Sequence, residues 1–583
     1  MARIRRIQIK NFRAIKSLNW LPSNGINCLI GPGDSGKSTI LEAIDLCLGA
    51  RRSPTFTDAD FHALDVTTPI VISLTLGDLD ESVKSLDSYG QFLRGFDAKT
   101  GLVEDEPDSG LETVVTLTIT VGTDLDPQWA LESDRAKAAG VARNLTWGDR
   151  TKMAPTRIGG LGEANLAWRR GSVLNRLSDE SVHVSAALAE AAREARASFG
   201  EHADKQLGKA LDVVLATAKS LGIPVGDAVK AMLDIHAVSF SGGAIALHDA
   251  NGVPLSGLGV GSTRLLIAGL QRQATAKTQL ILIDELEHGL EPHRVIQLVD
   301  LLGAKEQVPP QQAFVTTHSP AALREFGGDQ LFVVRRAVDG HEVTKVGTAD
   351  DIQGTIRKYP EAFLAPSVII CEGATEVGFS RGLSQFRAGR GKPSLEARGV
   401  ALVDGTGGGP NDLIARADVF RRLGYRVAVL RDDDKPPDPA IEGAFEKAKG
   451  TVFHWRAGYA LEDELFRSLP DDDVEKLLTQ AIELHGEEVI DAHITSKSNG
   501  KVSLSDVRAE RALGGYTPAT RELLGRAAQV KSKNDKGKRG WFKSLGYMEE
   551  VAREIVAPCS RGWAPDFKNT IVDLLTWIDH GGG

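Results

Sequence analysis

The segment Gly31-Pro32-Gly33-Asp34-Ser35-Gly36-Lys37-Ser38 constrains this chain more than any other. It fits the spacing GxxxxGK[ST] without a mismatch. It follows the apolar run Ile26–Ile30 and opens a stretch, ending at Gly49, whose apolar residues recur at helical spacing. Strand, glycine loop and helix in that order predict a cradle of backbone N–H groups for phosphate oxygens at a helix N-terminus. Lys37 is placed to reach the β- and γ-phosphates, and the Ser38 hydroxyl to help hold Mg²⁺. Gly31, Gly33, Asp34, Ser35, Gly36, Lys37, Ser38 and Thr39 are therefore the expected nucleotide-binding residues.

The rest of the chain must supply a sheet around that loop, and 583 residues leave room for several domains. Hydrophobic residues make up 42% and charged residues 25%, an ordinary globular balance that excludes disorder as the main state. The net charge of −9 excludes a polycation coating nucleic acid, although it leaves room for local basic tracks. Cys28, Cys47, Cys371 and Cys559 lie far apart without a CxxC pair, which excludes a disulfide scaffold and fits a reducing cytosol. The basic N-terminus lacks an apolar signal core, and no apolar run approaches the roughly 20 residues of a membrane span. A cytoplasmic protein without membrane contact is expected.

Strands are predicted over Arg3–Ile9, Pro69–Leu76 and Thr113–Val121, and Ala-rich Ser185–Leu221 reads as helical. The strand Leu280–Ile283 ends in Asp284-Glu285, and Ala313–Thr316 ends in Thr317-His318. Asp284 suits Mg²⁺ held through water, Glu285 suits polarising an attacking water, and His318 sits where a γ-phosphate sensor is expected. The order of phosphate loop, glycine-rich helix start, Asp-Glu and His resembles the ABC-type ATPases, in their branch of structural-maintenance and Rad50-type proteins. Ile7-Gln8-Ile9-Lys10-Asn11-Phe12-Arg13 resembles that branch's opening strand. Gly259 and Gly261 occupy the signature position, with Gly259 standing where a serine is usual. Such ATPases assemble composite sites, so the resemblance implies ATP, Mg²⁺ and a homodimer or dimer of dimers. No heptad run separates the two ATPase halves, which excludes long coiled-coil arms.

A second set of strands carries acids at its C-terminal ends. Ser367–Cys371 leads into Glu372-Gly373, Val400–Val403 into Asp404, and Arg426–Leu430 into Asp432-Asp433-Asp434. Glu372 and Glu376, at i and i+4, are expected on one helix face. Carboxylates converging on one sheet edge repel unless cations neutralise them, and oxygen ligands suit Mg²⁺ or Mn²⁺. Two such ions can flank a phosphodiester displacement. Strand–Glu-Gly–helix, strand–Asp and strand–Asp-x-Asp together resemble a Toprim domain. An ABC-type ATPase followed by Toprim resembles the OLD (overcoming lysogenization defect) family of endonucleases.

That resemblance implies Glu372, Glu376, Asp404, Asp432 and Asp434 as metal-site residues, with a later acid and a lysine completing the centre. Asp506 and Lys543 are the leading candidates, and Glu462 and Glu464 are alternative carboxylates. The length and Trp541-Phe542-Lys543 resemble the nuclease subunits of Gabija antiphage systems, which work with a superfamily 1 helicase. Lys531, Lys533, Lys536, Lys538 and Arg539, against the single acid Asp535, suit contact with the DNA backbone.

The expected fold is multidomain α/β. An ABC-type ATPase domain, 1–350, carries a helical dimerisation insertion near 150–235. A Toprim domain, 365–583, has a helical, basic C-terminal extension. The expected activity is metal-dependent cleavage of double-stranded DNA under ATP control. The competing readings are a DNA-repair clamp or a nucleotide-sensing scaffold that binds DNA without cutting it.

Overall fold

A computed structural model describes residues 2–49, 54–159, 226–228, 247–251, 255–273, 280–405, 408–530 and 540–580, together with parts of 190–219. The helical insertion expected near 150–235 lies mostly outside these residues, as does the basic segment from Lys531 to Arg539. The chain divides into two compact units, residues 1–29 with 34–343 and residues 30–33 with 344–583. Among the described residues, no helix is long and apolar enough to cross a membrane.

The first unit is built on strands β1 (Arg3–Phe12), β2 (Ile15–Trp20), β3 (Ile26–Ile30), β4 (Ile70–Gly77), β5 (Arg94–Phe96), β6 (Val103–Glu104), β7 (Glu112–Val121), β8 (Pro127–Glu132), β9 (Thr156–Ile158), β10 (Leu280–Ile283), β11 (Gln312–Thr316), β12 (Leu331–Ala337) and β13 (Gly340–Lys345). They form one sheet in the order β6-β5-β7-β4-β1-β2-β13-β12-β3-β11-β10-β9, with β8 added to β7. Its two halves obey different rules. Around the phosphate loop β3, β11, β10 and β9 are parallel, with Ala313 opposite Ile26 and Ile281 opposite both Ala313 and Thr156. Every residue of β3, β10 and β11 is buried, as a parallel sheet covered on both faces requires. The other half, β1-β4-β7-β8, is antiparallel.

Helix α1 (Lys37–Leu48) lays Ile40, Leu41, Ala43, Ile44 and Leu48 into the core this sheet forms. Helices α2 (Val260–Gln273) and α3 (Pro292–Leu301) flank the β10 region. At Gly261 a Cβ would lie 2.3 Å from the Gly289 carbonyl oxygen, so a side chain there would drive α2 off the loop that follows β10.

The second unit holds a four-stranded parallel sheet of β14 (Ser367–Cys371), β15 (Val400–Asp404), β16 (Arg426–Arg431) and β17 (Thr451–His454), in the order β15-β14-β16-β17. The connections are α4 (Ala374–Ala388), α5 (Pro410–Arg422) and α6 (Pro439–Lys447). The chain steps from β14 out to β15 and then crosses back to β16. The strand order therefore reverses at the β14/β16 seam, where open α/β sheets bind ligands at their C-terminal edge.

Beyond β17 the chain is helical: α7 (Leu461–Ser468), α8 (Asp471–His485), α9 (Glu487–Lys497), α10 (Leu504–Ala512), α11 (Pro518–Ala528), α12 (Leu545–Val551) and α13 (Pro565–Asp579). These helices share one apolar core with β14, β16 and α4, through Ile369, Phe379, Leu430, Leu465, Leu524, Val551 and Ile571. On α4, Gly378 and Gly382 face α12 so closely that a Cβ on either would sit 2.3 Å from the Leu545 or Glu549 carbonyl oxygen. This backbone contact pins the chain downstream of Lys543 against the helix that follows Glu372.

Candidate functional site

Two sites sit on strand ends, one on each sheet. In the first, the backbone at Gly31 (φ 142°) and Gly36 (φ 87°) occupies the left-handed region that glycine adopts freely, and Asp34 joins it at φ 57°. Gly36 N-caps α1, so Lys37, Ser38 and Thr39 form the helix's first turn. Lys37 is buried, and its ammonium donates to Ser35 Oγ at 3.3 Å. Burial lowers the ammonium below the ordinary lysine range, against the pull of Asp284 and Asp34.

Asp284 closes the site, because its Oδ1 accepts from Ser38 Oγ at 2.9 Å and from Thr316 Oγ1 at 2.6 Å. Ser38 and Asp284, the pair expected at Mg²⁺, are thus side by side. Glu285 holds a left-handed backbone (φ 48°), and its N–H donates to Thr316 Oγ1. His318 is exposed, and its N–H donates to Glu287 Oε1 at 2.7 Å. Gly259 is exposed just before α2, and Gly261 is buried in its first turn.

Three residues of this network were not read from the sequence. Thr316, the last residue of β11, ties Asp284 and the Glu285 backbone to the neighbouring strand. Glu287 gathers Thr317 Oγ1 and the His318 N–H. Arg264, almost fully buried in α2, donates to the carbonyls of Asp284, Glu285 and His288 and fixes the loop after β10. A threonine closing a buried strand beside Asp-Glu is a usable signal. An arginine inside an apolar helix, read without its partners, is not.

In the second unit the acids meet at the β14/β16 seam. Among the described residues, Glu372, Asp432 and Asp434 each offer a carboxylate oxygen, all within 4.8 Å of one another. Glu372 does not share a helix face with Glu376 as expected: α4 begins only at Ala374, after the Gly373 cap. Glu372 instead extends the β14 ladder, its N–H bonded to the Leu430 carbonyl, and its Oε2 accepts from the Asp432 N–H at 2.8 Å. Glu376 turns back to accept from the Gly373 N–H at 2.9 Å and is buried. Asp432 Oδ1 accepts from the Leu461 N–H at 2.9 Å, which brings in α7 and its buried Glu462. Asp433, between the two acids, is occupied by buried Arg431, which also binds Glu442.

These carboxyls resist ionisation together. Burial first and Glu462 next raise Glu376 to about 8. Burial, then Glu376 and Glu462, hold Asp432 well above the usual carboxylate range. Burial also raises Glu372 and Glu462. The exposed Lys543 faces this charge and is held above the ordinary lysine range first by Glu462 and then by Asp432, Glu376 and Asp434. Glu462 Oε1 is buried without a hydrogen-bond partner. Converging all-oxygen donors with an orphaned buried carboxylate oxygen fit a divalent hard cation.

Two expected residues lie apart from this cluster. Asp506 caps α10, its carboxylate accepting from the Ser503 N–H at 2.9 Å and the Ser503 hydroxyl at 2.6 Å, whereas it is the charge of Glu462 that acts on Glu376 and Asp432. Asp404 ends the edge strand β15, opposite Cys371, and is not one of the three converging acids. Glu464 is buried, bound to Arg456 and to the Ser468 hydroxyl.

A protein named OLD nuclease from Thermus scotoductus is 46% identical over 46 residues, 8% of either chain. DNA replication and repair protein RecF from Chlorobium luteolum is 49% identical over 45 residues, 8% of this chain and 12% of RecF. The chain thus matches only a small fraction of these relatives' length. Among solved structures, the Smc head domain of Pyrococcus furiosus bound to the C-terminal domain of ScpA aligns with 59% of this chain and 96% of its own, at 14% identity and a TM-score of 0.33. The RecF–ATP structure aligns with 59% and 99%, at 12% identity and a TM-score of 0.29. A family model matches residues 26–324, more than half of the chain and inclusive of the phosphate loop, Asp284 and His318: this chain belongs to the ATPase family described as AAA domain, putative AbiEii toxin, Type IV TA system.

Proposed function

We propose that this chain is a metal-dependent DNA endonuclease whose ABC-type ATPase unit governs cutting. The observation that carries the reading is the convergence of Glu372, Asp432 and Asp434 at the strand-order reversal of a parallel sheet, with Lys543 facing them. The pattern resembles that of a Toprim domain, and a short segment shared with a protein named OLD nuclease is in keeping with a nuclease. Glu372, Asp432 and Asp434 would hold Mg²⁺ or Mn²⁺, backed by Glu376 and Glu462, and such ions supply charge neutralisation and an activated water at a phosphodiester. The protein's own contribution is positional. The Asp432 and Leu461 N–H groups fix the carboxylates, and Lys543 presents a cation to the charge developing on phosphorus.

In the first unit Ser38 and Asp284 would hold Mg²⁺ with ATP, Glu285 would orient the attacking water and His318 would sense the γ-phosphate. The substrate is double-stranded DNA and the working form a homodimer or dimer of dimers. The finer reading places the protein in the cytoplasm, in antiphage defence of the Gabija type with a superfamily 1 helicase beside it.

Plasmid nicking by the purified protein tests this reading, with Mg²⁺ or Mn²⁺, with and without ATP, beside Glu372→Ala and Lys37→Ala. Wild type should cut, Glu372→Ala should not, and Lys37→Ala should change only the response to ATP. Absence of cutting with either metal, in a protein that still binds ATP and DNA, would leave a clamp or scaffold.

A further inference from the structure

We propose that His485 and His493 are positioning residues that hold Lys543 toward the carboxylates by gripping Trp541 from two sides; this rests on the nuclease reading above.

Lys543 follows two fully buried side chains, Trp541 and Phe542. Every polar group of Trp541 is engaged. Its N–H donates to the Ala528 carbonyl at 2.7 Å, its carbonyl accepts from His485 Nε2 at 2.8 Å, and its indole N–H donates to His493 Nδ1 at 3.1 Å. The chemistry of Trp541 fixes both imidazoles. A carbonyl only accepts, so His485 carries its proton on Nε2. An indole N–H only donates, so His493 must present a bare Nδ1. Burial, reinforced by His485, lowers the His493 imidazole below the ordinary range and keeps it neutral for this task. The histidines come from different elements: His485 ends α8, and His493 lies in α9.

The clamp is tied to the acids. The Trp541 ring stands edge-on to Phe466, with centroids 5.8 Å apart at 81°. Phe466 lies one turn along α7 from Glu462, the carboxylate that acts most strongly on Lys543. On the other side of Lys543, the Ser544 N–H donates to the Phe542 carbonyl at 2.7 Å, and Ser544 Oγ caps α12 through the Tyr547 N–H. The backbone on both sides of Lys543 is thus immobilised, while its side chain alone is exposed. Gly540, at φ 66°, completes the arrangement, since a Cβ there would lie 2.7 Å from the Ala528 carbonyl oxygen and 3.0 Å from Lys543 Cγ.

The test is a double-mutant cycle on metal-dependent nicking, with His493→Ala, Lys543→Ala and the pair. Misplacing a reacting group by about 1 Å costs on the order of 10²-fold, so His493→Ala should lower kcat by about 10–100-fold while KM for DNA stays near wild type. In the Lys543→Ala background, His493→Ala should have no further effect. His493→Asn keeps an acceptor near the Nδ1 position, and His485→Gln keeps a donor near Nε2, so both should recover most of the rate. Equal losses in both backgrounds, or no loss at all, would overturn the proposal. Should His493→Ala fail to fold, Trp541→Phe retains the ring and loses only the indole donor. Acylation of Lys543 by an acetyl ester, followed by mass spectrometry, needs no cleavage. The amine should label several-fold faster once the clamp is opened and it leaves the acids. Unchanged labelling refutes the clamp even in a protein that cuts nothing, whereas failure of wild type alone to nick refutes the nuclease reading.

Discussion

The two acidic strand ends, Asp284 after β10 and Asp432 after β16, are furnished in opposite ways. Around Asp284 the protein closes its own circuit. Two hydroxyls bond one carboxylate oxygen, Lys37 lies close enough to feel its charge, and Arg264 takes the backbone carbonyls of the loop. Around Asp432 the circuit stays open. Four acids crowd together, Lys543 and, at Glu372, Arg431 act on them, and a buried Glu462 oxygen has no partner. Buried like charges either take up protons or gather cations. The first site is thus finished as protein and waits for a phosphate. The second keeps its buried carboxyls raised and one Glu462 oxygen without a partner.

The largest effect should come from Asp432→Asn. It keeps an oxygen for the Leu461 N–H and removes one charge from the crowd. Nicking should fall by about 10²–10⁴-fold, the usual range for losing a group at a reacting centre. The melting temperature in EDTA should rise, because a buried repulsion is gone. A protein that loses cleavage and stability together would break the contrast, since Asp432 would then be a structural acid like Asp433.

At the closed site the expected loss is smaller. Lys37→Ala removes a charge-assisted contact of about 1.5–3 kcal/mol, so ATP affinity should drop by about tenfold or more. Calorimetric titration measures it, and metal-dependent nicking without ATP should be unchanged. A parallel loss of nicking would mean that the second site depends on the first even without nucleotide.

The open site also predicts a pH signature. Burial, with Glu462, raises Glu376 to about 8 in the folded protein. The folded state therefore keeps a proton that the unfolded chain releases near pH 4. That contribution is complete below the unfolded value and is lost as pH rises through the folded one. In EDTA the melting temperature should decline between about pH 5 and 8. Mg²⁺ should flatten the decline, and Glu376→Gln should remove part of it. A flat profile in EDTA would show that the carboxyls ionise freely and need no cation.

The closed site was the more legible of the two, for a physical reason. Phosphate loops depend on local backbone geometry, so Gly31 to Ser38 carries its chemistry in consecutive residues. The strands β3, β10 and β11, apolar except for Asn27, Gln312 and Thr316, announce themselves in the same way. Carboxylate clusters depend on distant elements converging. The acids Glu372, Asp432 and Asp434 were readable because they cluster at the ends of the strands Ser367–Cys371 and Arg426–Arg431. Glu376 was misjudged as the partner of Glu372 on a helix face, because a single glycine at 373 shifts the helix start. Spacing could not rank Glu462 above Asp506, since that ranking depends on which helix packs against the β14/β16 seam. Arg264 and His493 were silent, because their meaning lies wholly in carbonyl and indole partners far along the chain.

Asp506 gives the smallest and sharpest test of that lesson. Its carboxylate is exposed and engaged with Ser503 at the start of α10, where Ser503 Oγ also receives the Asp506 N–H. Hydrogen bonds from the Ser503 hydroxyl and N–H hold its carboxyl below the usual range, the opposite direction from Glu376, Asp432 and Glu462. Burial raises those three first, whereas Asp506 is exposed on α10. Asp506→Ala should therefore lower the melting temperature slightly, through loss of the cap, and leave the nicking rate within about twofold of wild type. Glu462→Gln, made alongside, should cut the rate far more while leaving α10 intact. If the two variants exchange behaviour, α10 must move onto the sheet edge when DNA binds, and the acids that matter would be those that DNA brings together rather than those the fold already has.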